Sequence, residues 1–269
     1  MRRKRIISCL LSLCSLTLCL AGFSSCEAQT SLDEGEQIFA DALALTAEQA
    51  VFYWEETVSD GDNSYFRQVS SYAEKDNDGN ILLDDEGEYK SRKIQVIENV
   101  NQKTVLEIYC GLSEAKDKSD SVNMLFLTEY DENQNVVNEL TREMTAREFY
   151  ESGDFEEYLP VNVLSELYGM DFSDMDFDFE DGGIASKGYV AEITFRPTGE
   201  YLDRYEEETG KSSMFANADK VFVEISYGRI ASLVVYSEKQ ISGSSLTYEQ
   251  EDYCFQIVYL GPKFDVPKH

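Results

Sequence analysis

Among 269 residues there is a single histidine, His269, the last in the sequence. Catalysis that moves protons through an imidazole, and metal sites built on histidine, therefore have almost nothing to draw on. Proline is nearly as scarce, at four residues, and no Pro/Gly-rich or low-complexity stretch divides the chain. A layout of several domains strung on linkers is not expected. Basic residues are few: 23 Lys and Arg stand against 52 Asp and Glu, for a net charge of −29. Such a surface repels phosphates, which excludes nucleic acid as a partner and argues against a helix lying on anionic lipid. No Gly-x-Ser-x-Gly elbow occurs, and Gly210-Lys211-Ser212 has Tyr205 where a phosphate loop needs its first Gly. No catalytic residue, metal or cofactor is expected on these grounds.

What the chain does have begins at its start. Arg2, Arg3, Lys4 and Arg5 are followed by an uncharged, Leu-rich stretch from Ile6 to Phe23, the layout of a secretory signal. Ser8, Ser12, Ser15 and Thr17 interrupt it, which makes a retained membrane span the second choice. Phe23-Ser24-Ser25-Cys26 resembles the lipobox of bacterial lipoproteins, with two small residues before a Cys and Phe23 where Leu is usual. That resemblance implies diacylation of Cys26, residues 1–25 as a signal peptide, and anchoring at the extracytoplasmic face of a cell membrane. Two acyl chains give stable attachment. Ordinary cleavage after Ala28 is the alternative. Losing the leader removes four cations and no anion, so the exported part is more acidic than −29.

With 42% hydrophobic and 12% aromatic residues the rest can bury a core. Residues 26–35 read as a polar tether and 36–269 as one domain. Ile38, Ala42 and Leu45 recur at helical spacing, and Thr46 with Gln49 resembles a capping box ahead of Ala50, Val51 and Trp54, so a helical element is expected up to the turn formers at Ser59–Asn63. Strand-like runs follow at 65–73, 92–98, 104–110 and 122–130, with hairpin chemistry between them. Helical intervals return over 145–159 and 161–169. After an acidic loop come a strand at 189–195, a helix over 198–209 ended by Gly210, and strands at 221–227, 230–236 and 253–260. The last has large residues on both faces and reads as covered on both sides. The sum is α+β: a single antiparallel sheet packed on several helices.

That element order, with its closing set led by Lys220-Val221-Phe222-Val223-Glu224-Ile225, resembles the LolA/LppX-like envelope lipoproteins and carriers. The resemblance implies a curved, half-barrel-like sheet around helices, a non-enzymatic role, and a lipid or hydrophobic small-molecule ligand. The aromatic-rich segments with Phe149, Tyr150, Phe155 and Tyr158 and with Tyr253, Phe255 and Tyr259 are where a cavity of that kind would be lined, and Phe149, Tyr150, Phe155, Tyr158 and Phe255 are the ligand contacts expected. A protein-interaction or sensor lipoprotein with a filled core is the alternative, and a carboxylate-based hydrolase a distant third. Cys110 and Cys254 could pair outside the cytoplasm or remain small buried hydrophobes. Glu74, Asp76, Asp78, Gly79 and Asp85 resemble a calcium loop, yet they follow a strand-like run, so a plain hairpin turn is favoured. The run Asp171 to Asp181, interleaved with Phe172, Phe177 and Phe179, reads as a solvated acidic edge whose rings pack inward.

Cys26→Ser should release the protein from the membrane fraction and remove the acyl mass. Unchanged membrane association and intact mass would overturn the lipid anchor.

Overall fold

The computed structural model describes residues 34–49, 51–60, 63–73, 82, 92–112, 122–185, 188–240 and 247–259. Cys26 and the carboxylates of the calcium-loop-like segment lie outside them. Helix α1, Glu34–Ala47, buries Phe39, Ala42, Leu43 and Thr46, a stripe at the three-to-four spacing of one helix face. Thr46 is not a helix N-cap as its spacing suggested. Its hydroxyl donates to the Ala42 carbonyl at 2.7 Å and accepts from the Ile230 amide at 3.0 Å, fastening the end of α1 to the sheet.

The segment after α1 corrects the helical expectation. Phe52–Asp60 is strand β1, with Phe52, Trp54 and Glu56 buried in alternation with Tyr53, Glu55 and Thr57. Aromatic and β-branched residues favour this conformation, but a Glu at an inward position hides the alternation from a hydropathy reading. The remaining strands are β2 Asn63–Ala73, β3 Arg92–Val100, β4 Lys103–Leu112, β5 Asn123–Tyr130, β6 Val136–Glu143, β7 Met175–Ala185, β8 Gly188–Pro197, β9 Lys220–Ser226, β10 Arg229–Gln240 and β11 Thr247–Tyr259.

All eleven belong to one sheet, ordered β6-β5-β4-β3-β2-β1-β11-β10-β9-β8-β7, with every pairing antiparallel. Two meanders, β1–β6 and β7–β11, meet where β1 pairs with β11 from Phe52↔Tyr259 to Val58↔Tyr253. The sheet does not close: β6 and β7 are its edges. This is the α+β class with a single open antiparallel sheet packed on helices. Residues from Gly35 onward form one compact unit.

Between β6 and β7 the chain supplies the cover for the inner face. Thr145 caps α2, Ala146–Glu151, in a reciprocal box with Glu148. A 3-10 turn at Glu156–Tyr158, α3 at Pro160–Val163 and α4 at Ser165–Tyr168 follow. Phe155, between α2 and that turn, stacks on Phe52 of β1 with ring centroids 6.4 Å apart, and Trp54 donates its indole N–H to the Tyr158 carbonyl at 2.9 Å. Helix α5, Gly199–Thr209, begins at Thr198, whose hydroxyl accepts from the Tyr201 amide, and ends at Gly210 with φ 67°, a conformation that suits Gly.

Besides β1, two further strands were not expected. Strand β6 is exposed along its whole length, so no buried alternation marks it. The acidic run proves to be β7, with Asp176, Asp178 and Glu180 exposed and Phe177 and Phe179 packed against the core. The last strand is covered on one face only: Tyr253, Phe255 and Ile257 are buried while Val258 is 49% exposed. Cys110 and Cys254 are free thiols. They sit on β4 and β11 with three strands between, so about four spacings of ~4.8 Å separate them, far beyond disulfide reach.

Phe155 is fully buried and touches four aromatic rings. Phe155→Ala should cost about 3–5 kcal/mol in urea unfolding, whereas Val137→Ala on exposed β6 should cost under about 0.5 kcal/mol.

Candidate functional site

At the β1–β11 seam the inner face turns polar. Glu56 of β1 stands opposite Arg67 of β2 and accepts from its Nε at 3.0 Å and its Nη2 at 2.8 Å. Glu98, opposite Arg67 on β3, approaches Nη1 at 3.8 Å. The guanidinium also lies over the rings of Trp54, Tyr65 and Tyr158, at 5.5, 5.8 and 5.7 Å from their centroids. Arg67 is thus a cation caged by three aromatic faces and two carboxylates, and it compensates a Glu56 that is 7% exposed. Burial pushes the Glu98 carboxyl above its ordinary value, against the pull of Arg67.

Next to this cluster, a cleft of about 630 Å³ opens between the sheet and the helical cover. Its floor comes from β1 (Glu56, Val58, Ser59), β10 (Val235, Ser237, Glu238) and β11 (Gln250, Asp252, Tyr253). Its roof comes from Val163 of α3, Ser165 and Glu166 of α4, Tyr205 of α5, and Met214 and Asn217 of the loop before β9. No Lys, Arg or His is among the lining residues, and four carboxylates are. A smaller cleft of about 230 Å³ shares Ser165, Glu166 and Tyr205 with it and includes Arg204, which is paired with Asp174 at 2.7 Å.

Glu166 is the carboxylate both clefts share. It is 8% exposed, accepts from the Met214 amide at 2.9 Å and the Tyr201 hydroxyl at 3.2 Å, and is hydrogen-bonded by the Ser213 hydroxyl. Three neutral donors therefore solvate a buried charge that has no ion-pair partner among the described residues. Burial first and the Glu166 charge second push the Tyr201 phenol well above its ordinary value, so it stays a donor. Across the cleft, Tyr253 is 5% exposed and its hydroxyl has no hydrogen-bond partner. Burial first and the neighbouring Glu56 carboxylate second, through its charge and at the limit of hydrogen-bond reach, keep that phenol protonated.

The aromatic residues expected to line a cavity sit elsewhere. Phe149, Tyr150, Phe155 and Tyr158 converge, with centroids 5.6–6.1 Å from Phe155, and Phe255 lies 5.6 Å from Trp54. Each ring fills its neighbour's contact surface, and none of the five lines the cleft. Sequence reading missed Glu56 and Glu166; Tyr253, in the second aromatic-rich segment expected near a cavity, does line the cleft. The one available signal was Glu56 and Val58 at inward positions of a strand, and that required seeing 52–60 as strand. Among the described residues no three or more His, Cys, Asp or Glu gather as a metal site, and no helix is long and apolar enough to cross a membrane.

No protein-family model matches the chain, and no curated protein does. Among solved structures, a proposed outer membrane lipoprotein-sorting protein domain from Vibrio parahaemolyticus is similar over 84% of this chain and 89% of its own, at 10% identity and a TM-score of 0.24. At that TM-score the two backbones do not superpose closely, and the reading of the cleft stands on its own residues.

Removing the Arg67 charge leaves Glu56 buried without its counter-ion, so Arg67→Met should cost about 3–5 kcal/mol, and adding Glu56→Gln should recover part of it. Because the Glu98 pKa is raised on folding, the folded state binds that proton more tightly and stability falls as pH rises through the folded-state value. Glu98→Gln should flatten this slope in urea midpoints measured upward from pH 4.5, the ordinary value.

Proposed function

We propose that this chain is a lipid-anchored, extracytoplasmic binding lipoprotein, non-enzymatic, that holds a small amphiphilic ligand in the cleft at the β1–β11 seam. The carrying observation is the cleft itself. Its volume of about 630 Å³ falls within the range of small-molecule sites. Its walls mix apolar Val58, Val163, Met214 and Val235 with hydroxyl, amide and carboxylate groups, the composition that suits an amphiphile rather than a bare acyl chain. The anchor on Cys26, read from the lipobox-like segment, would hold such a site at the membrane face where amphiphiles are delivered or captured. The cleft replaces the five aromatic residues as the ligand seat because those rings already occupy each other.

A protein-interaction reading has one observation of its own. Edge strand β6 leaves Val136, Val137 and Leu140 between 42% and 61% exposed, and an unpaired edge can accept a strand from another chain.

Native mass spectrometry of protein purified from envelopes should show a bound small molecule, and Met214→Trp, which plugs the cleft, should remove it while leaving the circular dichroism spectrum unchanged. Protein that carries no ligand and takes none up from an envelope lipid extract would overturn the reading and leave the β6 edge as the functional surface.

A further inference from the structure

The β6 edge carries its own partner in its sequence. We propose that β6 pairs with β6 of a second copy of this chain, antiparallel across a two-fold axis at Leu140, so that two eleven-stranded sheets run on into one. The pairing is independent of whether the cleft holds a ligand.

Strand β6 is open on the side away from β5. It ends the sheet, all eight of its residues are exposed, and no other strand among the described residues reaches it. The Met144 amide donates to the Asn123 carbonyl at 3.1 Å, which continues the β5–β6 register from Met124↔Glu143. In an antiparallel ladder that bond sets the alternation: the N–H and C=O groups of Asn138, Leu140 and Arg142 turn toward β5, and those of Glu139, Thr141 and Glu143 turn outward. The outward groups are the ones a further strand bonds.

Symmetry then selects the register. A two-fold axis perpendicular to the sheet keeps each face on its own side, and side chains alternate between faces, so the axis must pass beside a residue rather than between two. An axis at Glu139 sets that carboxylate against its own copy, one at Thr141 sets Glu139 against Glu143 twice, and one at Arg142 brings two guanidinium groups together. An axis at Asn138 runs into the bulge at Val137. At Leu140, leucine faces leucine, Glu139 faces Thr141, whose hydroxyl donates to the carboxylate, and Asn138 faces Arg142. No two like charges stand directly opposite, which is what a stable cross-strand set requires.

The apolar contribution falls at the axis itself. Leu140 is 42% exposed and stands opposite Leu127 of β5, which packs against the core. It therefore prolongs the inner apolar face by one strand, and Leu140 of the second copy covers it. The other edge of the sheet does not offer this. In β7, Asp176, Asp178 and Glu180 occupy alternate, exposed positions, so every two-fold register centred on them sets carboxylate against carboxylate.

The test is disulfide trapping in the purified full chain, at salt that screens the repulsion between two copies of net charge −29, with the unsubstituted chain as the baseline for Cys110 and Cys254. Leu140 and its copy form a non-hydrogen-bonded pair with Cα atoms about 4.5 Å apart, within the roughly 4.4–6.8 Å a disulfide spans. Leu140→Cys should therefore link into a dimer about tenfold faster than Glu139→Cys or Thr141→Cys, whose copies sit two residues out of line. Asn138→Cys combined with Arg142→Cys should also link, and neither alone should. Leu140→Lys, at an exposed position, should abolish the dimer in sedimentation equilibrium and leave the circular dichroism spectrum unchanged. Equal linkage at all three positions would mark random collision and overturn the pairing. Linkage fastest at Glu139→Cys or Thr141→Cys, or no dimer at any position, would overturn it as well. So would an adduct formed in envelopes between the Leu140→Cys chain and a protein of another mass. None of these outcomes bears on the cleft, whose ligand is read by native mass spectrometry.

Discussion

The pairing of β1 with β11 is the constraint from which the rest follows. Seven residue pairs, from Phe52↔Tyr259 to Val58↔Tyr253, join segments about two hundred positions apart in sequence. Without them there are two separate meanders, with β1 and β11 as unpaired edges. With them there is one eleven-stranded sheet whose remaining edges, β6 and β7, carry charges and polar residues. The exposed carboxylates of β7 blunt that edge against strand addition, whereas β6 keeps Val136, Val137 and Leu140 exposed. The seam therefore decides both where the core is continuous and which surfaces are left open. Its sequence separation also puts it among contacts whose loop-closure entropy must be met before they repay anything.

The same topology dictates the helical layer. From the end of β6 to the start of β7 the chain must cross ten strand spacings of about 4.8 Å each, and the connector does so over the inner face. Covering that face is what buries Phe52, Trp54 and Phe255, because an open antiparallel sheet with an apolar side must bury it on another layer. Phe155 on Phe52 and the Trp54 indole on the Tyr158 carbonyl are the contacts that set the cover down. On the outer side the chain asks for no cover, which is why Cys254 and Val258 alternate with the buried residues of β11 without making it a two-sided strand.

How much of this the sequence discloses depends on whether burial and polarity agree. Where they agree, as in β2–β5, β8 and β9, the strands are read close to their true bounds, and Thr145 with Glu148 and Thr198 with Gly210 mark helix ends correctly, whereas β10 ends four residues later and β11 begins six residues earlier than expected. Where they disagree, reading fails for identifiable reasons. Glu56 is an inward charge stabilised by Arg67 from a different strand, so β1 reads as something else. Strand β6 buries nothing and gives no period at all. In β7 the exposed carboxylates dominate the hydropathy, though the inward rings of Phe177 and Phe179 are visible once a strand is supposed. The site was less legible still: Tyr253 falls in an aromatic-rich run expected near a cavity, but Glu166 is eighty-seven positions away and nothing local distinguishes it from an ordinary surface Glu.

Why the cleft lies at the seam is then a matter of geometry rather than of any motif. The two meanders contribute inward side chains of different length and polarity, β1 with Glu56 and Val58, β10 and β11 with Val235, Asp252 and Tyr253. The roof above them is made of α3 and α4, each of four residues and the shortest α-helices among the described residues, and a loop. Short helices present few side chains to a facing sheet, so complementarity is hardest to achieve there. A polar group such as the Glu166 carboxylate can persist at that point only because Tyr201, Ser213 and the Met214 amide hold it. The buried Glu166 carboxylate is thus held where short helices and a loop cover the seam.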